Sequence, residues 1–129
     1  MLSREIPRDQ WIRFFDDFSR QHQGWLVTVE VVGLKIGDQE EASRLPLVGV
    51  SADTKAGENR VAVMVGGRPD GNLTHIVERP KRVWLKEPEQ PALPAHAAID
   101  IESEDGTMTI VHFNHVDPDQ PDLQLPGRA

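Results

Sequence analysis

The chain contains no cysteine and no tyrosine, only 3 Trp and 4 Phe in 129 residues, and fewer cations than anions, with 14 Lys and Arg against 21 Asp and Glu. Each shortage closes off a class of function. Without cysteine there is no disulfide, thiol nucleophile, redox pair, iron–sulfur cluster or cysteine-ligated zinc. A formal net charge of -7 opposes the dense cationic face that polyphosphate binding requires, so nucleic acid is not expected as a partner. The one basic cluster, Arg79-Pro80-Lys81-Arg82, is short and is followed by Glu87 and Glu89. Long apolar runs are missing too. The best candidate, Trp25 to Val32, carries Thr28 and Glu30 inside it and falls well short of the roughly 20 residues of a membrane span. The opening Met1-Leu2-Ser3-Arg4-Glu5 turns polar at once, unlike the apolar core of a secretory signal, so the expected location is cytoplasmic.

The aromatics that are present are unevenly spread: Trp11, Phe14, Phe15, Phe18 and Trp25 all lie in the first 25 positions. The first four fall at i, i+3, i+4 and i+7, one stripe of an α-helix. Arg8, Arg13, Asp16, Asp17, Arg20 and Gln23 occupy the other side, which makes the helix amphipathic. Pro7 suits its first turn, Asp9 complements the positive end of its dipole, and Gly24 is placed to end it after His22. A helix of roughly 15 residues is marginal alone in water. Its stripe is therefore expected to dock on the chain's own sheet rather than on a partner.

Downstream the period changes to two. Trp25, Val27, Val29 and Val31 alternate with Leu26, Thr28, Glu30 and Val32, the pattern of a strand ending or bulging at Gly33. A second strand is expected from Asp38 to Leu45, with Leu47 to Ala52 either its continuation beyond a bulge or a separate edge strand, because Pro46 has no N–H to give to a ladder. Further strands are read at Arg60 to Val65, Leu73 to Val77, Arg82 to Lys86, Ala97 to Ser103 and Thr107 to Phe113. The last two flank Asp105-Gly106, a strong hairpin signal. Pro88, Pro91 and Pro94 read as a stiff linker. The expected architecture is α+β. It has one N-terminal amphipathic helix on a curved antiparallel sheet or small open barrel of about six to seven strands. Residues 1–115 form the single domain and 116–129 a disordered acidic, proline-rich tail.

Chemistry-bearing candidates are few. Glu30 lies mid-strand among valines, and His75 alternates with Leu73 and Val77. Together they would make an acid–base pair if the fold brought them together, and apart they read as a solvent-facing carboxylate and a hydrogen-bonded structural histidine. His112 and His115, with Asp117, Asp119 and Asp122 behind them, offer imidazole and carboxylate donors for a metal. Residues three apart in a strand point to opposite faces, however, which favours one surface histidine and one strand-end histidine beside a solvated tail. Trp84, between Val83 and Leu85, faces away from both, either covered by another element or exposed as an anchor for a partner. The glycines of Gly66-Gly67-Arg68-Pro69-Asp70-Gly71 lack the Gly-Lys-Ser/Thr ending of a phosphate loop and read as a hairpin loop. None of the serines stands in a nucleophile elbow. No cofactor is expected.

Ile6-Pro7-Arg8-Asp9-Gln10-Trp11 leading into Phe14-Phe15-Asp16 resembles the opening of a small bacterial family of unknown function. Gly24-Trp25, Glu41-Ala42 with Leu45-Pro46-Leu47-Val48-Gly49-Val50, and His75 with Pro80 extend the likeness from Ile6 to Phe113. The resemblance implies one helix-plus-sheet domain from a bacterial cytoplasm, and it carries no activity, cofactor or catalytic residue. Lacking a convergent nucleophile, base or metal set, the sequence favours a non-enzymatic binding or protein-interaction module, with a protein partner or self-association. The alternatives are a small-molecule-binding barrel or weak hydrolase using His75 and Glu30, and metal binding through His112 and His115.

Overall fold

In a computed structural model of the chain, residues 2–33, 37–55, 57–68, 71–87 and 97–114 are described. The linker at Pro88 to Pro94, the tail from 116 to 129 and His115 lie outside them.

The aromatic stripe does form a helix, α1 (Trp11–His22), and its apolar side is buried: Trp11 is 1%, Phe15 0% and Phe18 7% exposed. Pro7 and a 3-10 turn over Arg8–Gln10 lead into it. Trp11 donates its indole N–H to the Ile6 carbonyl at 2.9 Å, and the Arg8 guanidinium lies 4.9 Å from its ring centroid. Gly24, at φ +87°, ends the helix in the left-handed conformation that only glycine adopts without strain.

Eight strands follow or precede the helix among the described residues: β1 (Leu2–Ile6), β2 (Leu26–Gly33), β3 (Gly37–Asp53), β4 (Arg60–Arg68), β5 (Gly71–Glu78), β6 (Pro80–Glu87), β7 (Ala98–Ser103) and β8 (Met108–Asn114). They form one sheet in the order β1-β6-β7-β8-β2-β3-β4-β5. Each neighbouring pair is antiparallel. With β1 and β5 at its two ends the sheet is open, and it has one strand more than the upper figure read from the sequence. The added strand is β1, where only Ile6 is buried. Four exposed side chains in five leave no alternation to detect.

β3 makes the sheet curve. Its first part pairs with β2 as far as Pro46, and its second pairs with β4 from Leu47 onward. Opposite β2 the register slips on either side of Val29, so Glu41 and the Ser43–Arg44 step become bulge residues, with Arg44 at φ +52°. The Arg44 N–H finds the Thr28 hydroxyl at 3.3 Å. A third slip lies between Leu47 and Gly49. Of the two sequence readings of this stretch, the continuation beyond a bulge is the one realised. Where β2 leaves off, helix α1 takes over the vacated edge: the Ser19 hydroxyl donates to the Val50 carbonyl at 2.9 Å and accepts from the Val50 N–H at 2.8 Å. One hydroxyl thus serves as the missing neighbour strand.

The core fills the concave side. Phe18 meets Phe113 edge-on at 4.8 Å and stacks on His22 at 3.9 Å, while His22 in turn meets Trp25 at 4.4 Å. Val27, Val29, Val61, Val63, Ile99, Ile101 and Val111 complete the sheet side of this layer.

Candidate functional site

The inward set on the central strands fixes what points out. Because Val83 and Leu85, Ile99 and Ile101, Val111 and Phe113, and Val27 and Val29 are buried, strand alternation sends Trp84, Lys86, Asp100, Ile110, His112, Thr28 and Glu30 to the convex face. The register then sets them in rows. Trp84 lies opposite Asp100, Asp100 opposite Ile110, and Ile110 opposite Glu30; Lys86, Ala98, His112 and Thr28 form the next row. Three residues singled out from the sequence, Trp84, His112 and Glu30, therefore share one surface.

One ion pair and one histidine–carboxylate hydrogen bond cross it diagonally. Lys86 Nζ is 2.7 Å from Asp100 Oδ2, with side chains 39% and 7% exposed. His112 Nε2 is 2.6 Å from Glu30 Oε1. Diagonal neighbours in an antiparallel ladder are far enough apart that only long or ring side chains bridge them, which lysine and histidine here do. Asp100 is the unusual member, a carboxylate pointing away from the core yet nearly buried, flanked by Trp84 and Ile110. Sequence reasoning misses it, although Asp100 between Ile99 and Ile101 repeats the pattern that draws attention to Glu30 between Val29 and Val31.

His75 lies elsewhere. It occupies the inward row of β5 with Leu73 and Val77, and its Nδ1 is 3.7 Å from Glu41 Oε1, the bulge carboxylate of β3. Burial holds its pKa below the ordinary histidine value, and the Glu41 charge opposes that shift only in part. Glu30 and His75 thus each have a different partner. His22 is lowered in the same way by burial, partly offset by its ring nitrogen bonding the Phe18 carbonyl at 2.9 Å. No cluster of three or more His, Asp or Glu suited to a metal ion occurs among the described residues. A groove of about 360 Å³ runs between α1 and β3–β4, past Ser19, Val48 and Met64, and it includes neither Lys86–Asp100 nor His112–Glu30.

As chemistry, the Glu30–His112 dyad can orient an imidazole tautomer, and the hydroxyl among its ladder neighbours, Thr28 opposite His112, accepts the Arg44 N–H at 3.3 Å. No helix among the described residues is long and apolar enough to cross a membrane.

The fold defines the class: an α+β domain in which one N-terminal helix covers the concave side of an open antiparallel sheet. The chain belongs to the family of unknown function DUF5335, whose model matches residues 2–121. It is similar to an uncharacterized protein of Aquifex aeolicus, 28% identical over 118 residues that span 92% of this chain and 97% of the relative. The expected membership of a small bacterial family of unknown function is thereby borne out. No solved structure matches.

Proposed function

We propose that the protein is a non-enzymatic protein-binding module and that its contact face is the convex side of β6, β7, β8 and β2, with Trp84 as the anchor. The observation that carries this reading is Asp100. Its carboxylate, 7% exposed and tied to Lys86 at 2.7 Å, forms a desolvated polar centre beside a large aromatic ring. Residues of that kind, ringed by groups that exclude water, dominate the energetics of protein interfaces. The His112–Glu30 pair and Ile110 extend the same surface across two further strands.

The reading is tested by placing a photo-crosslinking residue at Ile110 and recovering partners from cells with wild-type and Trp84→Ala backgrounds. A partner crosslinked in the wild type and lost in Trp84→Ala, with an unchanged denaturation midpoint, is the expected result. Recovery of the same partner with equal yield in both would remove Trp84 as the anchor and this face with it.

A further inference from the structure

Besides the Val50 edge of β3 that Ser19 closes, β1, the first part of β3 and β5 each lack a neighbouring strand on one side among the described residues, and the chain treats them differently. β1 carries Arg4 and Glu5 and runs into Pro7; the first part of β3 carries Asp38, Glu40 and Glu41 and is bulged. Charge, proline and bulges are the devices by which proteins keep an open edge from pairing with another chain. From Asn72 to Val77, β5 carries neither a proline nor an Asp, Glu, Lys or Arg, and the one register slip of its ladder with β4 lies at the Gly71 end. Its eight residues, Gly71–Glu78, contain no proline, no Lys or Arg, and one acid at the very end, and Ile76 is 40% exposed.

We infer that β5 is a self-association edge, pairing antiparallel with β5 of a second copy so that two eight-stranded sheets become continuous. Charge singles out this edge, among the open ones, as the one that can pair with a second copy. Each chain carries a formal -7, so self-association is penalised wherever like charges meet. A two-fold axis normal to the sheet keeps both concave faces on the same side and restricts the registers. Centred on His75, it sets Leu73 against Val77, Thr74 against Ile76, and Asn72 against Glu78, with no like charges opposed at neutral pH. The equivalent full overlap of β1 opposes Arg4 to Arg4, and any overlap at Asp38–Glu41 opposes acids. The pairing also continues what is inside: Leu73 and Val77 already lie against Val65 and Val61 of β4. Ile76, exposed in the single chain, gains a β-branched cross-strand partner.

The test is the mass in solution, by sedimentation or light scattering, of the full chain from low to high micromolar concentration. The expected result is a rise from 14.5 kDa toward twice that value, undiminished by added salt. Thr74→Lys and Ile76→Glu, both at exposed positions, should each hold the chain at the single-copy mass. Mixing the two variants should restore association, because the register sets the new cation of one copy directly against the new acid of the other. A chain that stays at the single-copy mass throughout overturns the inference. So does a dimer that survives both substitutions, or one that the mixture fails to restore. An association that salt dissolves would belong to the alternating Asp9, Arg13, Asp16 and Arg20 on the outer side of the helix and overturns it as well.

Discussion

Replacing Ser19 with alanine removes one oxygen atom, and with it both hydrogen bonds that close the β3 edge at Val50. Each neutral bond is worth roughly 0.5 to 1.5 kcal/mol net, so the pair contributes about 1 to 3 kcal/mol. Alanine is the better helix former by roughly 0.5 kcal/mol, which offsets part of the loss. Ser19 is only half-buried, and water entering from the adjoining groove satisfies some of what is left. The net destabilisation should therefore be about 1.5 kcal/mol, or roughly 6 °C in Tm for a chain of this size. Urea denaturation gives the global value, with an unchanged m-value showing that the native surface is the same. Amide exchange gives the local one: the Val50 N–H should lose protection beyond the global change, while Val63 across the β3–β4 ladder should not. Ser51→Ala, exposed on the same strand, is the control and should be neutral. If Ser19→Ala costs less than about 0.3 kcal/mol and leaves Val50 protected, the hydroxyl is not substituting for a strand, and another contact must hold α1 against the bend.

Three further outcomes follow from the same geometry. Phe15→Ala, at a fully buried ring, should cost about 3 to 5 kcal/mol in chemical denaturation; a loss under about 1 kcal/mol would mean that the helix does not cap the core. Lys86→Met strands the shielded Asp100 carboxylate and should cost about 2 kcal/mol. Adding Asp100→Asn should recover part of that, and a double-mutant cycle with no coupling would refute the pairing. His22 and His75 have folded-state pKa values held below their unfolded ones, so the unfolded chain binds more protons between the two. Their contribution is complete above about pH 6.5 and is lost as pH falls through the lower folded values. The urea midpoint should drop on acidification from neutrality, and His22→Phe should flatten that drop; an identical slope in the variant would exclude His22 as a source.

The helix is legible in the sequence because its signal is internal: four aromatics at helical spacing need no knowledge of anything else in the chain. The strands from Leu26 onward are legible for the same reason, through alternation. β1 is not, since a strand that buries one side chain in five is held by its backbone bonds to β6, and backbone bonds leave no trace in residue type. Pro46 looks like the end of a strand because it cannot donate to a ladder. It does not break β3, because it sits where β2 ends and β4 begins to pair.

The convex face divides along the same line between local and distant pairing. Asp105-Gly106 fixes a tight turn: Gly106 N–H bonds the Ser103 carbonyl at 3.0 Å, and the Asp105 carboxylate accepts the Thr107 N–H, which holds its pKa low. From that turn the β7–β8 register follows, so Asp100 opposite Ile110 and Ala98 opposite His112 can be read from the hairpin alone. Trp84 cannot be set beside Asp100 in that way, because β6 reaches β7 through the long Pro88 to Pro94 connection, whose length leaves the register open. Nor can His112 be matched to Glu30, eighty-two positions away in the chain. Asp100 and Glu30 have the same flanking pattern, yet their side chains are 7% and 26% exposed. What separates them is the residues directly opposite, a tryptophan and an isoleucine for Asp100, an isoleucine and the exposed Glu40 for Glu30. Local sequence therefore marks which polar side chains leave the core, and the cross-strand register decides which of them are shielded from water.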